Sequence, residues 1–144
     1  MEYSVGSVGR VVVVRLSEGD ELYKCVESVA VKEGIASAAV FITGGIRKAD
    51  VVVGPKQEVP EIVGDFRKFV GPGEVLGVGT IYSDQEGPKM HIHTAMGKGD
   101  TAMVGCPRGG ANVFLVLEVT IIEIVGTTAR RELDEGSGVK LFTV

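Results

Sequence analysis

"NVFLVLEVTIIEIV", residues Asn112 to Val125, decides the architecture. Both of its alternating faces are mostly apolar, interrupted only by Glu118, Thr120 and Glu123. Successive side chains of a strand point to opposite sides, so such a run is a strand that buries both faces and needs cover on each. One helix can cover one side. The other needs a further sheet layer or another subunit.

Outward from this run the texture is β. "RVVVVRL" (Arg10 to Leu16) reads as a buried, β-branched strand. "SEGDELYKCVESVAVKEG" follows as the one long helix, with Ser17 or Asp20 as cap and acidic residues in its first turn. Leu22, Cys25, Val26, Val29 and Ala30 form its apolar stripe, and Gly34 stops it. "SAAVFITGG" and "IRKADVVVG" are one strand bent at Gly44-Gly45, or two strands joined there. Gly54 to Glu74, with Pro55, Pro60 and Pro72, reads as a hairpin or flap. "EVLGVGTIYS", "KMHIHTAM" and "TAMVGC" are strands, and the tail turns at Gly136-Ser137-Gly138 into a closing strand. The fold class is α+β: a mainly antiparallel sheet with one principal helix, in a single domain spanning 1–144.

The chain has 144 residues, 44 % hydrophobic and 24 % charged, an ordinary globular composition. Its net charge of −4 opposes nonspecific binding to nucleic acid, which needs a basic stripe. No apolar run approaches the roughly 20 residues that span a bilayer, and "MEYSVGSVGR" lacks the order of a secretory signal. Cys25 and Cys106 suggest no disulfide framework, and two reduced thiols point to the cytoplasm.

The chemistry concentrates in "HIHTAMGKGDTAMVGC", which holds both histidines of the chain and Cys106. His91 and His93 share a strand face. A two-residue turn at Lys98-Gly99 sets His93 opposite Val104 and His91 opposite Cys106, and directly opposed residues are about 4.5–5.5 Å apart between Cβ atoms. Lengthening the loop by one residue sends Cys106 to the other side. Two imidazoles and a thiolate suit Zn²⁺ or another divalent transition metal, with a fourth position for water or substrate; Mg²⁺ and Ca²⁺ want oxygen ligands. The plainer reading is a hairpin with two polar residues and a small buried cysteine. Both stay open on spacing alone.

Other stretches carry less. Phe66 and Phe69 around Arg67-Lys68 read as a loop with the rings tucked inward, rather than as a base-stacking platform. Arg130-Arg131 reads as a solvated strand end balanced by Glu132, Asp134 and Glu135, and "PRGGAN" (Pro107 to Asn112) as a turn. Glu118 and Glu123, five apart in a strand, fall on opposite faces.

The order "EVLGVGTIYSDQEGPKMHIHTAMG", then "GC" and "LEVTIIEI", resembles the plants-and-prokaryotes conserved (PPC) domain family. Gly79-Thr80-Ile81, Glu86-Gly87, His91, His93 and Glu118-Val119 match its pattern, and the resemblance covers nearly the whole chain. Cys106 stands where the family has a third histidine. The resemblance implies an antiparallel sheet with one helix assembled as a homotrimer, a three-residue metal site, and a DNA-binding or regulatory role. The AT-hooks that read DNA in plant members have no counterpart here. A zinc-dependent enzyme with an unknown small substrate, and an interaction trimer with a degenerate site, are the alternatives.

Overall fold

The computed structural model describes residues 1–57 and 62–144. Along the chain come β1 (Ser7–Ser17), α1 (Leu22–Glu33), β2 (Ser37–Gln57), β3 (Val63–Asp84), β4 (Gly87–Lys98), β5 (Thr101–Val125), β6 (Arg130–Asp134) and β7 (Val139–Thr143). Every strand pairing is antiparallel. The main sheet runs β1-β5-β2-β3-β4, and a further β4–β5 pairing joins β5, β2, β3 and β4 into a closed ring. "TAMVGC" and "NVFLVLEVTIIEIV" are therefore one strand of 25 residues, not two. Its first part pairs with β4, its last part with β1, and β2 runs beside both.

The two apolar faces of β5 have different fates. Val113, Leu117, Val119 and Ile121 are fully buried with Val40, Ile46 and Ile81 in the core. Phe114, Val116, Ile122 and Ile124 on the other side stay half-exposed. The second cover that the pattern asks for is not supplied by α1. β1 corrects the sequence reading in the same way. It pairs only with β5, at the sheet edge, so Val8, Val11 and Val13 are exposed and Leu16 is its one fully buried residue.

α1 packs against β4 and β5 through Leu22, Val26 and Ala30, one residue per turn. Removing Leu22 or Val26 from water contributes about 1.5–3 kcal/mol each. The cap is neither Ser17 nor Asp20: the Glu21 carboxylate accepts from the Lys24 N–H at 2.8 Å. Asp20 instead accepts from the Ser17 N–H and holds the preceding turn, and no acidic residue lies in the first helical turn. Gly34 stops the helix as expected, with φ +66°.

Gly44-Gly45 bends one continuous β2. A Cβ on Gly44 would meet the Val116 carbonyl oxygen at 2.5 Å and one on Gly45 the Phe114 oxygen at 2.3 Å, so only glycine lets β5 come this close. β2 and β3 then extend as a paired arm to Gln57–Val63; Pro60 lies outside the described residues. On the arm Phe69 is buried, but Phe66 is exposed and Arg67 pairs with Asp65 at 2.9 Å. The tail forms a β6–β7 hairpin, docked by Lys140 on Asp84 (2.6 Å) and by Phe142 on Tyr82, rings 4.8 Å apart. Among the described residues, no helix is long and apolar enough to cross a membrane.

Candidate metal centre

β4 alternates cleanly. Met90, Ile92, Thr94 and Met96 are buried, which turns His91 and His93 to the outer face. There Thr80 lies across from His91 and Val78 from His93. The two imidazole rings stand edge to face, centroids 5.0 Å apart.

Cys106 reaches the same place by a register that differs from the sequence expectation. The turn is Gly99-Asp100, because Lys98 pairs with Thr101 and Thr94 with Gly105. Continuing that register brings Cys106 level with His93, not with His91. Sliding a two-residue turn along by one residue shifts the pairing by two, and a shift of two preserves the face. The regular β4–β5 ladder ends at Thr94–Gly105, and beyond it the Cys106 thiol donates to the Pro107 carbonyl at 3.6 Å. The donor atoms of His91, His93 and Cys106 all lie within 4.8 Å of one another.

The set fits a borderline-soft metal. Zinc bonds of about 2.0–2.3 Å in a tetrahedron place donors roughly 3.3–3.7 Å apart, so the cluster closes on an ion by shifts of about 1 Å. The exposed His93 and half-buried His91 can supply these by side-chain rotation. Two nitrogens and a sulfur select zinc or another transition metal over an oxygen-seeking ion.

Electrostatics prepare the histidine and burden the cysteine. Burial, and then the nearby Arg131, Arg108 and His93, push the His91 pKa down to about 4, so its ring is neutral at neutral pH. Burial raises the Cys106 thiol, against the opposing pull of Arg108, the Tyr23 hydroxyl, the Ile92 N–H and Arg131. The helix brackets the cluster on both sides. Tyr23 donates to the Pro107 carbonyl next to Cys106, and Glu27 accepts from the Met90 N–H at 3.0 Å next to His91.

His91 opens onto a cleft of about 760 Å³ between the main sheet and the C-terminal hairpin. Two residues of this cleft escape the sequence reading. Arg131 is not part of a solvated strand end: Arg130 pairs with Glu132 at 2.6 Å, whereas Arg131 turns to the other side, donates to Thr80 Oγ1 at 3.4 Å and lies over Tyr82. Arg108 belongs to β5 rather than to a turn, and it faces the same cleft. The alternation of Arg130 with Arg131 was the available signal, since neighbours in a strand point opposite ways. Neither glutamate of β5 joins the site. Glu123 is clamped by Arg10 at 2.9 Å, whose hydrogen bonds hold its carboxyl down to about 2, and Glu118 is not among the residues that line the cleft.

The profile of the Plants and Prokaryotes Conserved (PCC) domain matches residues 3–125. Solved structures share the architecture over nearly the full chain. A metal-containing protein, AF0104 from Archaeoglobus fulgidus, is 25% identical with a TM-score of 0.85, covering 100% of each chain. A plant- and prokaryote-conserved protein from Pyrococcus horikoshii is 22% identical with a TM-score of 0.80, over 100% of this chain and 98% of that one. A candidate DNA-binding protein from Ralstonia eutropha is 18% identical with a TM-score of 0.76, over 92% and 90%. No curated protein matches the sequence.

Proposed function

The chain belongs to the Plants and Prokaryotes Conserved (PCC) domain family, and on that premise we propose that it is a metal-holding binding module. His91, His93 and Cys106 are its ligands and zinc its ion. The observation that carries this reading is the convergence of three donors within 4.8 Å on one face, two from β4 and one from β5. The metal-containing Archaeoglobus fulgidus protein, of the same fold, supports it. A bound divalent ion supplies a Lewis-acid position for a ligand oxygen. His91 offers a neutral nitrogen, Cys106 a sulfur that must lose its proton, and Tyr23 and Glu27 tie α1 to the strand segments that carry them.

Metal analysis of tag-free protein tests the reading. About one zinc or other divalent transition ion per chain is expected, falling to background in His93→Ala. Less than about a tenth of an ion per chain sinks it.

A binding module is favoured over an enzyme. Among the described residues the one carboxylate in the cleft, Asp84, is held by Lys140 at 2.6 Å and is not free as a general base. DNA binding is the second reading, on the likeness to the candidate DNA-binding protein from Ralstonia eutropha. The net charge of −4 weighs against unassisted binding to a duplex. We further place the chain, as one domain over 1–144, in a homotrimer. Apolar residues exposed across the outer sheet face support that assembly. Free Cys25 and Cys106 suit the reducing cytoplasm.

A further inference from the structure

The cleft beside His91 is a positive island on an acidic chain. Among the described residues, four of the five formally charged side chains that line it are cations, Lys89, Arg108, Arg131 and Lys140, against the single Asp84, while the whole chain carries −4. The two lysines are committed: Lys140 to Asp84 at 2.6 Å, and Lys89 to Glu86 at 3.3 Å. The two arginines are not. Among the described residues neither Arg108 nor Arg131 forms an ion pair. The Nε of Arg131 is buried without a hydrogen-bond partner. Burial, and the like charge of Arg108, lower the Arg131 pKa despite the pull of Tyr82, Cys106 and Asp84.

A partly buried guanidinium beside a second one, neither of them in an ion pair among the described residues, is costly unless something answers it. A planar five-donor fork matches a carboxylate or phosphate group bidentately. Met90, Leu141 and Phe142 give the cleft an apolar wall for the uncharged part of such a ligand. We propose that this cleft binds a small molecule bearing a carboxylate or phosphate group, clamped by Arg131 and Arg108 with one oxygen toward the ion at His91. The oxygen's placement rests on the metal reading; the guanidinium clamp does not. Arg131, Lys140, Leu141 and Phe142 lie beyond residue 125, outside the segment that the family profile matches. The clamp thus joins Arg131 of the C-terminal hairpin to Arg108 of the sheet that the family profile matches.

The test is calorimetric titration of the full chain, zinc-loaded and chelator-stripped, with inorganic phosphate and with malonate. Saturable binding of at least one probe is expected, and the tighter probe names the group. Arg131→Gln and Arg108→Gln should each weaken it about tenfold or more, while Lys32→Gln on α1 leaves it unchanged. Melting curves check that Arg131→Gln is folded, and the exposed Arg108→Gln gives an independent reading if it is not. The inference is overturned if neither probe binds, if binding survives both substitutions, or if only a short DNA duplex binds in an Arg131-dependent way. Zinc at one per chain without anion binding sinks the clamp and leaves the metal centre. Arg131-dependent phosphate binding by a chain that never loads metal does the reverse.

Discussion

On the proposed metal reading, Cys106 holds the proton that binding must displace. Its thiol is pushed up by burial, so at neutral pH it is protonated, whereas the ring of His91 is held neutral by a pKa near 4. Zinc affinity should therefore rise about tenfold per pH unit between pH 7 and the thiol's raised pKa, with one proton released per ion. Cys106→Ser should flatten that slope and weaken binding. Competition titrations with a chelating dye across pH read both effects, and an unchanged slope in the variant would show that Cys106 is no ligand. At this scale the sequence was informative wherever alternation alone sets the answer. His-x-His fixes a shared face, and parity kept Cys106 on it although the turn falls at Gly99-Asp100. Alternation says only that Arg131 faces away from Arg130, and nothing marks Arg108, because an arginine in a strand reads the same whether it meets water or a cleft. Only the docking of a distant hairpin separates the two cases.

At the scale of elements, that hairpin is held by few contacts. Lys140 grips Asp84, whose side chain is only 3% exposed, and Phe142 leans on Tyr82. The hydrogen bond from Lys140 lowers the Asp84 pKa below its ordinary 3.8, so the carboxylate's contribution is present above that value and lost as pH falls through the folded one. The Asp84 hydrogen bond likewise raises Lys140 above its ordinary 10.5, and its contribution is complete below that and lost as pH rises through the raised value. Docking is thus strongest between these limits. Lys140→Met should loosen the docked hairpin, because it leaves the Asp84 carboxylate without its cation. Amide exchange should quicken in β6 and β7 and stay unchanged in β5, and the difference from wild type should vanish at acid pH. Equal quickening throughout would mean that the hairpin does not open on its own. The helix was the most readable element, because Leu22, Val26 and Ala30 repeat at its period and Gly34 can take positive φ. Its cap falls one residue past Asp20 and four past Ser17, at Glu21, which also bridges to Asn112. The long β5 was read as two strands because "PRGGAN" carries turn residues, and tertiary pairing with β2 overrides them.

For the whole molecule, the two apolar faces of "NVFLVLEVTIIEIV" hold the remaining information. One face is spent on the core and the other stays half-exposed. The registers set two rows across the outer sheet face, Val13-Thr120-Phe41-Val78-His93 and Arg15-Glu118-Thr43-Leu76-Ala95-Val104. Val13, Leu76, Val78 and Val104 are 77%, 61%, 60% and 66% exposed. A band of this kind on an isolated chain marks an interface more often than a solvated surface. In the proposed homotrimer other copies of the chain would cover it, with the polar Thr43, Thr120 and Glu118 interspersed as is usual at an interface. Val78→Lys places a charge in the middle of the band. We expect it to convert a species of three chain masses into one of a single chain mass, by light scattering after gel filtration. Because all three donors come from one chain, the separated variant should still load about one ion. His93, across from Val78, makes the second readout informative. Loss of metal on dissociation would mean that a neighbouring copy completes the site, and an unchanged mass would remove this face as the interface.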